Sequence, residues 1–253
     1  MTDSPKRIAL FVTCLVDLMR PEIGLAALKL LESAGCEVVV PDGQTCCGQP
    51  AYNGGDRRTA HQLAVRVIAQ LQDFDYVVIP SGSCAGMIKV HYFELFANDP
   101  EMKRRMADLA PRIYELTDFL HRVLKVKEVP GRLEGTVTLH DSCSGLRELG
   151  ISEQPRALLA KIPGLKIKEM KDARACCGFG GAFSMKYGNV SAAIVDEKIH
   201  NVQATEAQAV VLGDLGCMLH IEGRLRRLGD ERTQVLHVAQ VLAGDIGQGI
   251  KSS

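Results

Sequence analysis

The chain has 253 residues, 46% of them hydrophobic and 24% charged, with Lys+Arg and Asp+Glu balanced at 30 each. Such a chain folds into one large globular domain or two smaller ones, which excludes disorder, and zero net charge supplies no global pull toward nucleic acid or an anionic membrane. No apolar run approaches the ~18 residues that a membrane span needs.

The opening MTDSPKRIALFVTC holds too short an apolar stretch for a secretory signal and runs directly into a strand-like pattern at 7–13, so a cytoplasmic chain is expected. Nine cysteines in a reducing compartment, an odd count, argue against a disulfide framework and for metal binding or redox chemistry. After Cys14 at the end of the first strand, PEIGLAALKLLESAG reads as a helix with Pro21 in its first turn and Gly35 as its stop. Cys36 follows, best read as a small buried hydrophobe ahead of a strand at 37–40. QTCCGQPAYNGG then carries Cys46 and Cys47 into a glycine-rich turn, and DRRTAHQLAVRVIAQLQ has apolar residues at helical spacing. A third strand at 76–80 ends in PSGSCAGMI, which holds Cys84.

The charged stretch KVKEVPGRLEG, with Pro130, Gly131 and Gly135, marks a boundary, and beyond it the chain repeats itself at an offset of about 130 residues. GTVTLHDSC places Cys143 as RIALFVTC places Cys14, RACCGFGGAFSM repeats the adjacent pair as Cys176 and Cys177, and AVVLGDLGCMLHI carries Cys217 where the first half carries Cys84. Strands near 136–140, 166–169 and 209–213 and a helix near 190–204 complete the second copy. The predicted fold is therefore α/β, two pseudo-repeated Rossmann-like halves, residues 1–128 and 129–253, each a parallel sheet with flanking helices.

Loops at the carboxyl ends of parallel strands open on one edge, where such folds bind ligands, so each half gathers four thiols: Cys14, Cys46, Cys47 and Cys84, then Cys143, Cys176, Cys177 and Cys217. Four converging thiols suit tetrahedral zinc or an iron–sulfur cluster. Zinc sites usually draw on paired short motifs, whereas here about 30 to 40 positions separate the adjacent pair from its partners, which favours iron–sulfur and leaves zinc in one half open. Gly48, Gly54 and Gly55, like Gly178, Gly180 and Gly181, supply positive φ angles or backbone N–H donors to sulfur, or alternatively a phosphate cradle ahead of the next helix. No G-x-G-x-x-G follows a first strand in either half.

Two copies of strand-Cys, CCG and a late Cys resemble the cysteine-rich CCG-domain family shared by heterodisulfide reductase B subunits, glycolate oxidase iron–sulfur subunits and lactate-utilization proteins. PSGSCAGMIKVHYFELF, HDSC and CCGFGGAFSMK most resemble lactate-utilization proteins of type A. The resemblance implies [4Fe–4S] clusters, one or two per chain, held by the eight paired cysteines. It also implies an oxidoreductase subunit for electron transfer in a multi-protein system that takes L-lactate to pyruvate, with other iron–sulfur subunits as partners. Heterodisulfide-type copies end in C-x-x-C, but Ser81 and Asp214 occupy the first cysteine's place here, which argues against five-thiolate chemistry and fits helix capping better than ligation. A thiol–disulfide reductase and a zinc-stabilised scaffold or assembly protein are the alternatives. His220, three residues after Cys217, is read as no ligand; His140 and Asp141, ahead of Cys143 at a strand end, are read as donors behind the ligands, proton carriers or turn residues. Lys89, His91 and Tyr92 form a half-buried helix stripe, and LRELGISEQPRALL and GRLRRLGDER are solvated surface.

Overall fold

A computed structural model describes residues 7–246; the leading MTDSPK, part of the start discussed above, lies outside them. In chain order the first half runs β1 (Arg7–Leu10), α1 (Cys14–Met19), α2 (Pro21–Ser33), β2 (Glu37–Val39), α3 (Gln49–Gly54), α4 (Arg57–Leu71), β3 (Tyr76–Ile79), α5 (Gly82–Gly86), α6 (Tyr92–Leu95), α7 (Pro100–Leu109), β4 (Ile113–Glu115) and α8 (Leu116–Asp118). The second runs β5 (Gly135–Leu139), α9 (Cys143–Leu149), α10 (Glu153–Leu159), β6 (Leu165–Ile167), α11 (Ala182–Lys186), α12 (Gly188–Gln203), β7 (Ala209–Leu212), α13 (Leu215–Arg227), β8 (Gln234–His237) and α14 (Val238–Ala243).

Both sheets are wholly parallel and share one topology, β2-β1-β3-β4 and β6-β5-β7-β8. The sequence pattern predicts three strands per half, and each half has four. The extra ones, β4 and β8, read IYE and QVLH, too mixed with polar residues and too close to charged segments to give a strong apolar signal. A π-helical turn over Met87–His91 joins α5 to α6, so the segment after Cys84 is one continuous rod with a local widening.

Helix α2 shows why these residues fold as they do. Ile23, Ala26, Ala27, Leu30 and Leu31 recur on one face and are buried, Pro21 opens the first turn and Gly35 follows at φ 81. Burying Ile23 and Leu31 completely contributes about 1.5–3 kcal/mol each. The largest apolar cluster crosses the molecule: Ile8, Leu10 and Leu31 of the first half join Val137, Val211 and Leu242 of the second. Helix α14 packs on α2, α5 on α9 and α1 on α13, so the carboxyl edges of the two sheets meet across a pseudo-twofold axis. Gly82 is what allows α5 to approach α9, because a Cβ there would lie 2.9 Å from Ser142 Oγ and 3.0 Å from Gly145 Cα.

Candidate metal centres

All eight paired cysteines lie just beyond strand ends, as the parallel topology requires. Cys14 and Cys143 open α1 and α9; the adjacent pairs occupy the loops from β2 to α3 and from β6 to α11; Cys84 and Cys217 lie in α5 and α13. Each group therefore sits at the positive, N-terminal side of helices, which favours thiolate over thiol. None of the nine cysteines is in a disulfide.

Within each half the sulfurs follow one another in the same order. Cys46 lies between Cys14 and Cys47, and Cys47 Sγ is 3.4 Å from Cys84 Sγ. In the second half Cys176 lies between Cys143 and Cys177, and Cys177 neighbours Cys217. Hydrogen bonds from the Cys14 and Cys47 thiols, with the Gly48 N–H, pull Cys46 down to about 3; Cys143, Cys177 and the Gly178 N–H pull Cys176 down to about 2. Cys14 and Cys143 move up because each donates to its neighbour and is partly buried, and Cys47 and Cys177 move up for the same two reasons. The middle sulfur of each group is thus the one whose neighbours favour the thiolate.

The CCG turn is shaped by its glycine. Gly48 at φ 85 and Gly178 at φ 86 let the backbone fold back on the pair, and Gly178 N donates to Cys176 Sγ at 3.3 Å. Each loop is also buttressed. The fully buried Tyr92 donates from its hydroxyl to the Cys47 carbonyl at 2.8 Å, and Ser191 Oγ donates to the Gly178 carbonyl at 2.9 Å while contacting His220 Nε2 at 3.1 Å. Gln44, which no motif singled out, links strand and loop: Oε1 accepts from Val12 N and Nε2 donates to the Leu10 carbonyl, both at 2.8 Å. Four neighbouring free thiols with a backbone donor at sulfur fit a soft metal or an iron–sulfur group.

The second site holds more than thiols. His140, Cys177 and Cys217 are all buried, with ligand atoms within 4.8 Å of one another. Lys198, 2% exposed, reaches the loop before Cys176, where its ammonium donates to the Asp172 carbonyl at 2.5 Å and approaches that of Ala173 at 3.4 Å.

A family model described as a cysteine-rich CCG domain matches residues 8–89 and again 137–222. The chain belongs to the CCG cysteine-rich domain family. Among curated relatives, lactate utilization protein A 2 of Bacillus cereus (strain Q1) is 45% identical over 94% of this chain and 98% of its own length. Lactate utilization protein A of Geobacillus kaustophilus is 46% identical over 93% and 98%. Among solved structures, a hypothetical protein from Helicobacter pylori shares the fold, with a TM-score of 0.66 at 15% identity over 97% of this chain; the chain spans 50% of that protein's length.

In this CCG chain Ser81 and Asp214 meet each other across the axis. Ser81 Oγ donates to Asp214 Oδ2 at 3.2 Å, and the same oxygen accepts from Ser83 N at 2.8 Å. Asp214 Oδ1 accepts from Gly216 N at 3.2 Å, so Asp214 caps α13 and also holds the start of α5 in the other half. Ser81 stands at the N-cap position of α5 without capping it, because the Ser83 N–H that a cap would accept donates to Asp214 instead. His220 is held by Ser191 and packs on Phe179 rather than facing solvent. Asp141 pairs with Arg156 at 2.7 Å and accepts from Ser152, a structural ion pair. Lys89 donates to the Ile113 carbonyl at 2.7 Å and His91 lies 3.4 Å from Glu148, both half-buried as expected of the stripe, while Tyr92 is fully buried. Cys36 packs against the core. At the phosphate position ahead of α4, Asp56 accepts from Thr59 N and already places an anion there.

Proposed function

We propose that the chain is the iron–sulfur electron-transfer subunit of a multi-protein system oxidising L-lactate to pyruvate, with residues 1–128 and 129–253 as two CCG copies and other iron–sulfur subunits as partners. The observation that carries this reading is the repetition itself: one strand order delivers four free thiols to the same edge in both halves. The names of the relatives supply the lactate context. A cluster of the [4Fe–4S] type, bound by Cys14, Cys46, Cys47 and Cys84 or by Cys143, Cys176, Cys177 and Cys217, supplies reversible one-electron storage. The protein's part is to present thiolates, direct the Gly178 N–H at sulfur and exclude water, since Cys47, Cys177 and Cys217 are buried. Two electrons and two protons leave lactate at a partner subunit, and the electrons pass through this chain singly. Among the described residues no helix is long and apolar enough to cross a membrane.

Anaerobic purification followed by iron, acid-labile sulfide and zinc analysis, with electron paramagnetic resonance of the reduced protein, tests the reading. Iron and sulfide are expected together, with Cys47→Ser and Cys177→Ser each removing about half of a two-cluster complement. L-Lactate should reduce the clusters only when the partner subunits are added. Zinc without sulfide would instead support the scaffold alternative, and a cluster signal that responds to a disulfide would support the reductase.

A further inference from the structure

The two sites carry the same four cysteines but differ in what stands beside them. Extending β5 by one residue reaches His140, whose N–H bonds to the Val211 carbonyl at 3.0 Å; at the matching end of β1 stands Phe11, whose N–H bonds to the Val78 carbonyl at 3.0 Å. The backbones are equivalent and the side chains are not. Phe11 is fully buried in the apolar core of its half. His140 is 3% exposed, and neither of its ring nitrogens has a hydrogen-bond partner among the described residues. A buried imidazole without partners is unfavourable, so such a ring calls for an occupant the protein itself does not provide.

The surroundings show where that occupant belongs. The Ala173 carbonyl approaches the ring without reaching hydrogen-bond geometry; it accepts from Asp141 N at 3.1 Å and lies 3.4 Å from Lys198 Nζ. On the other side are the sulfurs of Cys177 and Cys217.

We propose that His140 is a nitrogen ligand of the iron–sulfur group in the second half, acting beside Cys177 and Cys217, while the first half offers sulfur ligands alone. The proposal rests on the metal reading given above. The matching position in the first half makes the contrast internal to one molecule: where Phe11 fills the space, no nitrogen is available.

The test uses the full-length protein purified anaerobically from cells grown with [15N]histidine or unlabelled histidine. Iron and sulfide are measured first. Pulsed electron paramagnetic resonance of the reduced protein then reads nitrogen hyperfine coupling to the cluster. The expected result is a histidine coupling that converts from the 14N to the 15N pattern on labelling, persists in Cys47→Ser, and disappears in His140→Phe, the residue that the first half itself uses. The labelling comparison is made on unaltered protein, so it holds even where a variant folds poorly. Normal iron and sulfide with no label-sensitive coupling, or a coupling that survives in His140→Phe, overturns the His140 assignment and leaves the iron–sulfur reading standing. Absence of iron and sulfide overturns both.

Discussion

The two halves are built to the same plan yet hold their cysteines in different company. In the first, the sulfurs lie over apolar neighbours: Phe11 ends β1, and Val67 and Ile68 fill the stretch of α4 that corresponds to Lys198 in α12. In the second, His140 and the Lys198 ammonium approach the same group of sulfurs, and Cys217 is buried where Cys84 is half-buried. Their backbones differ too. Thr13, before Cys14, has φ 76, a conformation that strains a β-branched residue by about 1–3 kcal/mol, whereas Ser142 before Cys143 has φ −62 and accepts a capping bond from Gly145 N. Duplication has thus preserved the thiol geometry and let the electrostatics diverge. A buried cation beside one set of thiolates stabilises negative charge there and not in the other set.

The largest break in this comparison is expected at the axis itself. Asp214 is 4% exposed and accepts from Ser81 Oγ, Ser83 N and Gly216 N, so Asp214→Ala strands three donors and is expected to cost about 4 kcal/mol in chemical unfolding. Ser81→Ala leaves Asp214 its two backbone donors and should cost only about 1 kcal/mol. Equal losses would show that the junction is not organised by the carboxylate.

A smaller contrast is expected at the CCG turns. At Gly178 a Cβ would lie 2.8 Å from the Ser191 carbonyl and 3.0 Å from Ile194 Cβ; at Gly48 the nearest atom, the Ala60 carbonyl, would lie at 3.4 Å. Both positions have positive φ, which alone costs an alanine about 1 kcal/mol. Gly178→Ala should therefore destabilise by about 3 kcal/mol and Gly48→Ala by about 1 kcal/mol, read by thermal unfolding. The order of the two, rather than either value, carries the comparison between the halves.

Much of this was legible in the chain because the repeat aligns four landmarks at once, and parallel topology then fixes their common edge. The strand-end placement of the eight thiols and the second-copy strands follow from that alignment. What was not legible depends on tertiary neighbours. Lys198 looks like a surface lysine until its spacing is noted: with Val195, Ile199 and Val202 it shares the buried stripe of α12. His140 stands opposite Phe11 in the repeat, a visible substitution whose meaning depends on the buried sulfurs around it. Strands β4 and β8 escaped because IYE and QVLH each end or begin on polar residues and offer no run of apolar ones, and with them went the two residues at their ends, Glu115 and His237.

Those two residues supply the smallest and most discriminating contrast. Glu115 and His237 close matching strands and cap the helices that follow: the Glu115 carboxylate accepts from Thr117 N at 2.8 Å, and His237 Nδ1 accepts from Ala239 N at 3.2 Å. Burial pushes Glu115 up to about 7 and His237 down to about 4, so the interior favours the neutral form of both. For Glu115 the native state binds more protons than the unfolded chain between its ordinary value of 4.5 and about 7, so its contribution to stability falls as pH rises through that window. For His237 the unfolded chain binds more protons between about 4 and its ordinary 6.5, so stability is lost as pH falls through that window. The two slopes oppose each other over most of the same range, and the wild-type protein should show little net pH dependence from this pair. Relative to wild type, Glu115→Gln should gain about 2–3 kcal/mol as pH rises from 4.5 to 7, and His237→Gln should gain about as much as pH falls from 6.5 to 4. Denaturant unfolding of the three proteins across pH 4 to 7.5 measures this, and parallel curves would mean that neither side chain is held neutral by the fold.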